Sequence, residues 1–368
     1  MTLKVVELFS GIGAQAEALD RLGIDYEITA ISEIDKNAIT AYKAIHGDVE
    51  NLGDICKIEH LPDCDMITNS SPCQDLSVSG EKKGMDEGSG TRSALIWEVI
   101  RLLKDAKERG KLPKYIVTEN VKALTFKANK SNLDKYISIL SELGYTSTWK
   151  IMKASDYGVP QARERCFIVS SLDDGEFIFP DTCGCSPLKD YLEEDVDEHF
   201  YLSDKMIETY EEHRKRQEEN GRGFGWNPRH IDEIMNTITT KPMRNASGNY
   251  IIVQGNLNIK GRHESSLRVY NPDGLCPTLQ TYQGGGLVPK FKMSDEPVRI
   301  RVLTPRECMR LQGFDDEDVD AMIQAGLSNS AIYKAAGNSI AVCCLEKIFE
   351  NMFVKNSFKK KMKQEVLI

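Results

Sequence analysis

No stretch of the chain stays apolar for the roughly 18 residues that a bilayer crossing requires, so no membrane-spanning helix is expected. The opening "MTLKVVELFSGIG" lacks a basic stretch followed by an apolar core and a small-residue cleavage site. A secretory leader is therefore not expected, and the cytoplasm is the expected location. Paired CxxC spacing is missing as well. The ten cysteines are scattered, with "CGC" at 183–185 and "CC" at 343–344 as the close neighbours. That pattern serves neither a disulfide framework nor a zinc site, and reduced thiols without a metal are expected. Cations are in deficit too: 47 Lys and Arg face 56 Asp and Glu, for a net charge of −9. This excludes a protein that coats nucleic acid by charge alone, because phosphate binding rests on Lys and Arg. Local balance differs from the total, since Lys241, Arg244, Lys260, Arg262 and Arg268 face only Glu264 between residues 241 and 270. That segment is a candidate phosphate-facing surface or a solvated loop face.

What is present is 368 residues with 40% hydrophobic content, enough for two domains or for one large domain with an insertion. The first half alternates short β-rich runs ("LKVVELF", "EITAIS", "CDMITNS", "KYIVTEN", "RCFIVSS") with amphipathic stretches, several of them stopped by Gly. Repeated βα units of this kind predict an α/β domain, a doubly wound, mostly parallel sheet, over residues 1–183. From 184 to 309 the texture becomes first charged and then rich in Gly, Asn and Thr, which predicts a smaller second domain. A hinge is expected over 310–335, a C-terminal helix over 336–354 that opens at an Asn338-Ser339 cap and returns to the catalytic domain, and a basic tail over 355–368. Within the second domain "TITT" at 237 and "TLQT" at 278 share a Thr, apolar, any, Thr core, too few copies for a solenoid.

Chemistry-bearing residues gather where strands should end. "LFSGIG" is a strand entering a Gly-rich turn, which lets Gly11 and Gly13 bring backbone close to a ligand. Glu33 ends the next strand about 20 residues on, the place from which a carboxylate takes ribose hydroxyls. The full G-x-G-x-x-G pattern is lacking, so the pair favours an adenosine-containing cofactor other than NAD. Asp54 in "GDI" adds another acid nearby. Cys73 follows the strand "CDMITNS" and the rigid Pro72, so its thiol is a packing residue, a ligand or a nucleophile at the sheet's carboxyl edge. Glu119 lies inside an apolar strand pattern, where it must be either ion-paired structure or an acid with a raised pKa. Arg163 and Arg165 stand two apart before the strand "CFIVSS", on one face if already extended, and one of them could hold that carboxylate. The residues alone support an adenosine-cofactor enzyme with a candidate thiol.

Read together and in order, "ELFSGIGAQAEAL", "EIDKNA", "GDI", "SSPCQDLS", "TRSALIWEVIRLL", "ENVKAL", "YGVPQARERCFIV", "LTPRECMRLQGF" and "AGNSIAV" resemble the cytosine-5 DNA methyltransferases of bacteria and their phages, over nearly the whole chain. The resemblance implies a Rossmann-like methyltransferase fold, S-adenosylmethionine as cofactor, double-stranded DNA as partner, and no metal. It implies Cys73 as the nucleophile, Glu119 as the acid, and Arg165, with Arg163 beside it, as positioning residues. It implies a cofactor pocket of Phe9, Gly11, Gly13, Glu33, Ile34, Asp54, Ile55, Pro72, Asn338 and Ser339. Ile34 departs from the aromatic residue that many relatives carry there, which bears on affinity for the cofactor. "SSLRVYNPDGLCPTLQTYQGGGLV" looks like the target-recognition region, giving Arg268, Thr278, Leu279, Tyr282, Gly284 and Gly285 as DNA contacts, with Ser79 near the space that the flipped base vacates. By that match the earlier "TITT" is not the recognition pair. A monomer and a cognate restriction endonuclease are further expectations, with a transfer RNA methyltransferase or a silent DNA-binding relative as the alternatives.

Overall fold

The computed structural model describes residues 2–72, 92–219, 228–230, 233–238, 250–254 and 299–359. The strands β1 (Leu3–Leu8), β2 (Tyr26–Ser32), β3 (Met66–Asn69) and β4 (Tyr115–Val121) are mutually parallel and lie in the order β2-β1-β3-β4. After them come β5 (Thr146–Lys153), the short β6 (Tyr157–Gly158) and β7 (Glu164–Ser171). β7 inserts between β4 and β5 and runs antiparallel to both, completing a six-stranded sheet.

Successive strand side chains point to opposite faces, so a strand covered on both sides must be apolar throughout. Val5, Met66, Val117 and Phe167 enter one core, and their neighbours Val6, Ile67, Ile116 and Ile168 enter the other. Helices α1 (Ala14–Arg21) and α2 (Lys36–His46) cover the first face, and α3 (Ile96–Glu108) and α4 (Lys130–Leu143) the second. The Asp35 side chain caps α2 by accepting from the amides of Asn37 and Ala38, and Gly144, at φ 109°, ends α4. The expected doubly wound, mostly parallel sheet is thus present. Among the described residues no helix is long and apolar enough to cross a membrane.

Beyond the sheet, β8 (Glu176–Phe177) and β9 (Gly184–Cys185) lead out, β9 pairing with β6. A separate small core of Phe200, Tyr210, Tyr250, Ile300 and Val302 joins α5 (Asp204–Glu219) to a sheet of β10 (Arg229–His230), β11 (Tyr250–Gln254) and β12 (Arg299–Val302). Four helices follow: α6 (Pro305–Arg310), α7 (Asp316–Gln324), α8 (Asn329–Asn338) and α9 (Val342–Phe349). α9 packs on α1, and the last strand β13 (Phe358–Lys359) pairs with β8.

One local expectation needs correction. Asn338-Ser339 does not open a helix: Asn338 is the last residue of α8 and Ser339 is its C-cap, while α9 starts after Ala341. The stretch 310–335, expected as a hinge, contains all of α7 and part of α8, with Val319, Met322, Ile332 and Tyr333 buried.

Candidate active site

The register of the parallel strands fixes where the candidate residues fall. Leu8 is level with Ser32 of β2 and with Asn69 of β3, and Asn69 is level with Thr118 of β4. The next residue on each strand is Phe9, Glu33, Ser70 and Glu119, so these four form one row across the carboxyl edge. Open α/β sheets bind ligands at that edge.

At one end of the row the chain makes its Gly-rich turn. Phe9, Gly11 and Gly13 all have positive φ (56°, 58° and 81°). A Cβ on Gly11 would meet nothing within 4 Å, so open space lies over the turn; one on Gly13 would strike the His46 ring at 2.4 Å. Gly13 is needed for packing, then, and Gly11 for an approach. The Glu33 side chain accepts from the amides of Gly11 (3.0 Å), Ile34 (2.8 Å) and Asp35 (2.8 Å), which hold it rigid beside that space. Asp54 caps the turn Ile55–Lys57 through Cys56 N, and Gly53 O accepts from the Ser32 hydroxyl, so the third acid is tied to the same edge. Ile34 is 71% exposed, an apolar side chain left uncovered next to Glu33. Ile55 is buried. A rigid carboxylate, an open glycine turn and a bare apolar surface suit a ribose, a backbone-hugging chain and a purine face, and so fit an adenosine cofactor. Ser339 is buried with its hydroxyl donating to Ile340 O, while Asn338 is exposed at the end of α8.

At the other end stands Glu119, 8% exposed, with Oε1 at 3.0 Å from Arg165 Nε. Burial pushes its carboxyl pKa upward, and the nearby Arg165 and Arg163 charges offset only part of the rise. The two arginines then diverge. Arg165 also donates to Glu164 O. The buried Arg163 reaches instead for backbone carbonyls, Ser339 O at 2.6 Å, Gly337 O at 3.1 Å and Ile238 O at 3.5 Å.

Between the two ends lies the approach to Cys73, which itself, with Ser79, Arg268, Thr278, Leu279, Tyr282, Gly284 and Gly285, is outside the described residues. Ser70 donates its hydroxyl to Phe9 O (3.1 Å), and the Asn120 amide donates to Ser71 Oγ (3.1 Å) and Ser71 O (3.3 Å). The chain is thus pinned up to Ser71 by the neighbours of the cofactor turn and of the acid. Elsewhere burial pushes the thiols of Cys64 and Cys166 up to about 12, which disqualifies both as ready thiolates. Two residues at this edge escaped the sequence reading. Asn120 was signalled only by its place beside Glu119. Glu7, an acid inside "VVELF" with no exposed surface, has its pKa pushed up to about 8 by burial.

The C-5 cytosine-specific DNA methylase family matches residues 3–354. The chain belongs to that family. Among relatives of this DNA methylase, the orphan methyltransferase M.Rho11sI of Bacillus phage rho11s is 30% identical, covering 95% of this chain and 97% of its own. The type II methyltransferase M2.ScrFI of Lactococcus lactis subsp. cremoris is 31% identical over 95% of this chain and 99% of its own. In fold, the methylase is similar to the methyltransferase EhMeth of Entamoeba histolytica (TM-score 0.68, 18% identity, 97% and 99% coverage) and to Dnmt2 of S. pombe (TM-score 0.64, 19% identity, 97% and 100% coverage). The protein is therefore an enzyme of cytosine C-5 methylation, and its family uses S-adenosylmethionine.

Proposed function

We propose that this enzyme methylates carbon 5 of cytosine within a short sequence of duplex DNA, using Cys73 as a covalent nucleophile on a base flipped out of the helix. The observation that carries the reading is the row at the sheet edge, which sets an adenosine-type pocket and a buried, arginine-held acid on either side of the segment leading to Cys73. Cofactor binding falls to Phe9, Gly11, Gly13, Glu33, Ile34, Asp54, Ile55 and Pro72, with Asn338 and Ser339 from the end of α8. Residues 1–183 form the catalytic domain and 184–309 the target-recognition domain. Arg268, Thr278, Leu279, Tyr282, Gly284 and Gly285 face DNA, and Ser79 lies near the space the base vacates. The phage and bacterial relatives support DNA as substrate, a cytoplasmic site of action and, for the restriction-associated ones, a cognate endonuclease.

Cytosine carbon 5 is a poor nucleophile. Addition of the Cys73 thiolate at carbon 6 forms a C–S bond and shifts the ring electrons towards carbon 5 and N3, where Glu119 donates a proton or hydrogen bond. Arg165 keeps that carboxyl aimed. The cofactor supplies an electrophilic methyl on sulfonium. As carbon 5 takes the methyl, the sulfonium sulfur would keep the bonding pair and become a neutral thioether; loss of the carbon-5 proton to a base and return of any N3 proton to Glu119 then restore the ring's aromaticity as the C–S bond breaks and the thiolate leaves.

The test is base-resolution cytosine-methylation sequencing of a methylation-deficient bacterial host expressing the protein, beside the same host expressing Cys73→Ala. Methylated cytosines in one short motif, absent with a variant that still binds DNA, are expected. An unmethylated genome despite well-expressed protein would overturn the DNA reading and send the same assay to transfer RNA.

A further inference from the structure

Several distant parts of the chain meet on residues 159–163. Gln161 has no exposed surface. Its carboxamide nitrogen donates to Leu311 O at the end of α6 (2.8 Å), and its carboxamide oxygen accepts from Ile238 N (3.0 Å). The backbone of the second unit lies alongside: Met235 N donates to Pro160 O and Ala162 N to Met235 O, each at 2.7 Å, and the Thr237 hydroxyl donates to Ala162 O at 2.9 Å. On the catalytic side Ser155 N donates to Gln161 O and Ala154 N to Arg163 O. Arg165, which holds Glu119, follows four residues after Gln161.

The copy of Thr-apolar-x-Thr docked here is the first one, Thr237-Ile238, which the sequence reading set aside in favour of Thr278-Leu279. Both ends of the Gln161 carboxamide are used, one as donor and one as acceptor. Turning it over would set N–H against N–H and oxygen against oxygen in a buried place, so its orientation is fixed. Given the DNA methylation proposed above, on which this rests, we propose that Gln161 is a positioning residue. It sets the register of segment 235–238 against the strand that carries Arg165, so that correct seating of the recognition domain on DNA governs the methyl-transfer rate.

The test uses the full-length protein and duplexes carrying the motif found by methylation sequencing, or that motif with one base pair changed. Two variants are compared with the wild type: Gln161→Met, which keeps the length but makes neither bond, and Gln161→Glu, which can make both only when protonated. Cofactor affinity, read by titration calorimetry with S-adenosylmethionine, should stay within about twofold and show that the pocket is folded, because Gln161 does not reach the cofactor row. The single-turnover rate of Gln161→Met at saturating cognate DNA should fall by about tenfold or more, the usual consequence of leaving buried partners unpaired. Its preference for the cognate over the altered duplex should shrink by a similar factor. Gln161→Glu should regain rate relative to wild type at each lower pH, as its acid form restores the donor.

A Gln161→Met enzyme with an unchanged rate overturns the proposal. So does one whose rate falls while the cognate preference stays intact and Gln161→Glu shows no recovery, since a purely structural role predicts that. Wild-type protein that methylates no duplex overturns the functional reading itself, and this inference with it.

Discussion

Glu119 sits under two opposing influences, burial that disfavours its charge and a guanidinium at 3.0 Å that favours it. Burial wins, so the carboxyl holds its proton to higher pH than an ordinary glutamate. A proton donor of this kind is useful below its own pKa and useless above it. The single-turnover rate is therefore expected to fall as pH rises through the raised Glu119 pKa. Glu119→Gln should lose at least about a hundredfold in rate, the usual range for a general acid, together with that pH limb. A glutamine variant with near-normal turnover, or one that keeps the limb, would remove Glu119 from the role. At this scale much was legible. A lone Glu in an apolar strand demands a partner, and two arginines on a nearby strand offered one. Residue chemistry alone left open which arginine, and only the resemblance named Arg165; Arg163 is drawn off by the carbonyls of Gly337 and Ser339, more than 170 residues away in sequence.

Among the elements, β1 to β4 and α1 to α4 announced themselves, since strands buried on both faces read as apolar runs and the helices carry caps and apolar stripes. β5 was missed. Its sequence "TSTWKIMK" is only partly buried along most of its length, as befits an edge strand, and shows no clean alternation. Nor could the chain's local pattern reveal that β7 would slip between β4 and β5 against their direction. The end of α8 misled for another reason: Asn and Ser are common at helix starts, yet here they close a helix whose final carbonyls the Arg163 side chain satisfies.

The joint from β12 to α6 invites a stability test. Glu307, with no exposed surface, takes both Arg301 terminal nitrogens (2.6 and 2.7 Å) and the amides of Thr304 and Glu193 (each 2.8 Å). Glu307→Gln leaves a buried Arg301 charge uncompensated and should cost about 3–5 kcal/mol in denaturant unfolding. A loss under about 1 kcal/mol would mean that the joint relaxes around the change.

Over the whole molecule, the first helix and the last pack together although more than 300 residues of sequence separate them. α9 buries Val342, Leu345, Ile348 and Phe349 against the sheet's first face. At roughly 2 kcal/mol for each side chain this is about 8 kcal/mol of burial, as large as the whole net stability of a typical domain, about 5–15 kcal/mol. A chain ending at Ala341 is expected to lose its cooperative thermal transition in calorimetry. A sharp transition in that truncated chain would show that the sheet closes without α9. The whole-chain resemblance could be read from motif order, because the motifs that frame the site are short and local. The return of the C-terminal helix to the catalytic domain was expected as well, but not the helix it meets there, since nothing in "AVCCLEKIFENMF" names α1 as its partner.

That closure also sets a clock on synthesis. While the ribosome still holds α9, the face that carries α1 stays open, so the Gly-rich turn and the acid have been made but not yet braced. Full activity is therefore expected only after α9 has emerged, and an unfinished copy, or one cut short by a damaged message, would leave its cytosines unmarked.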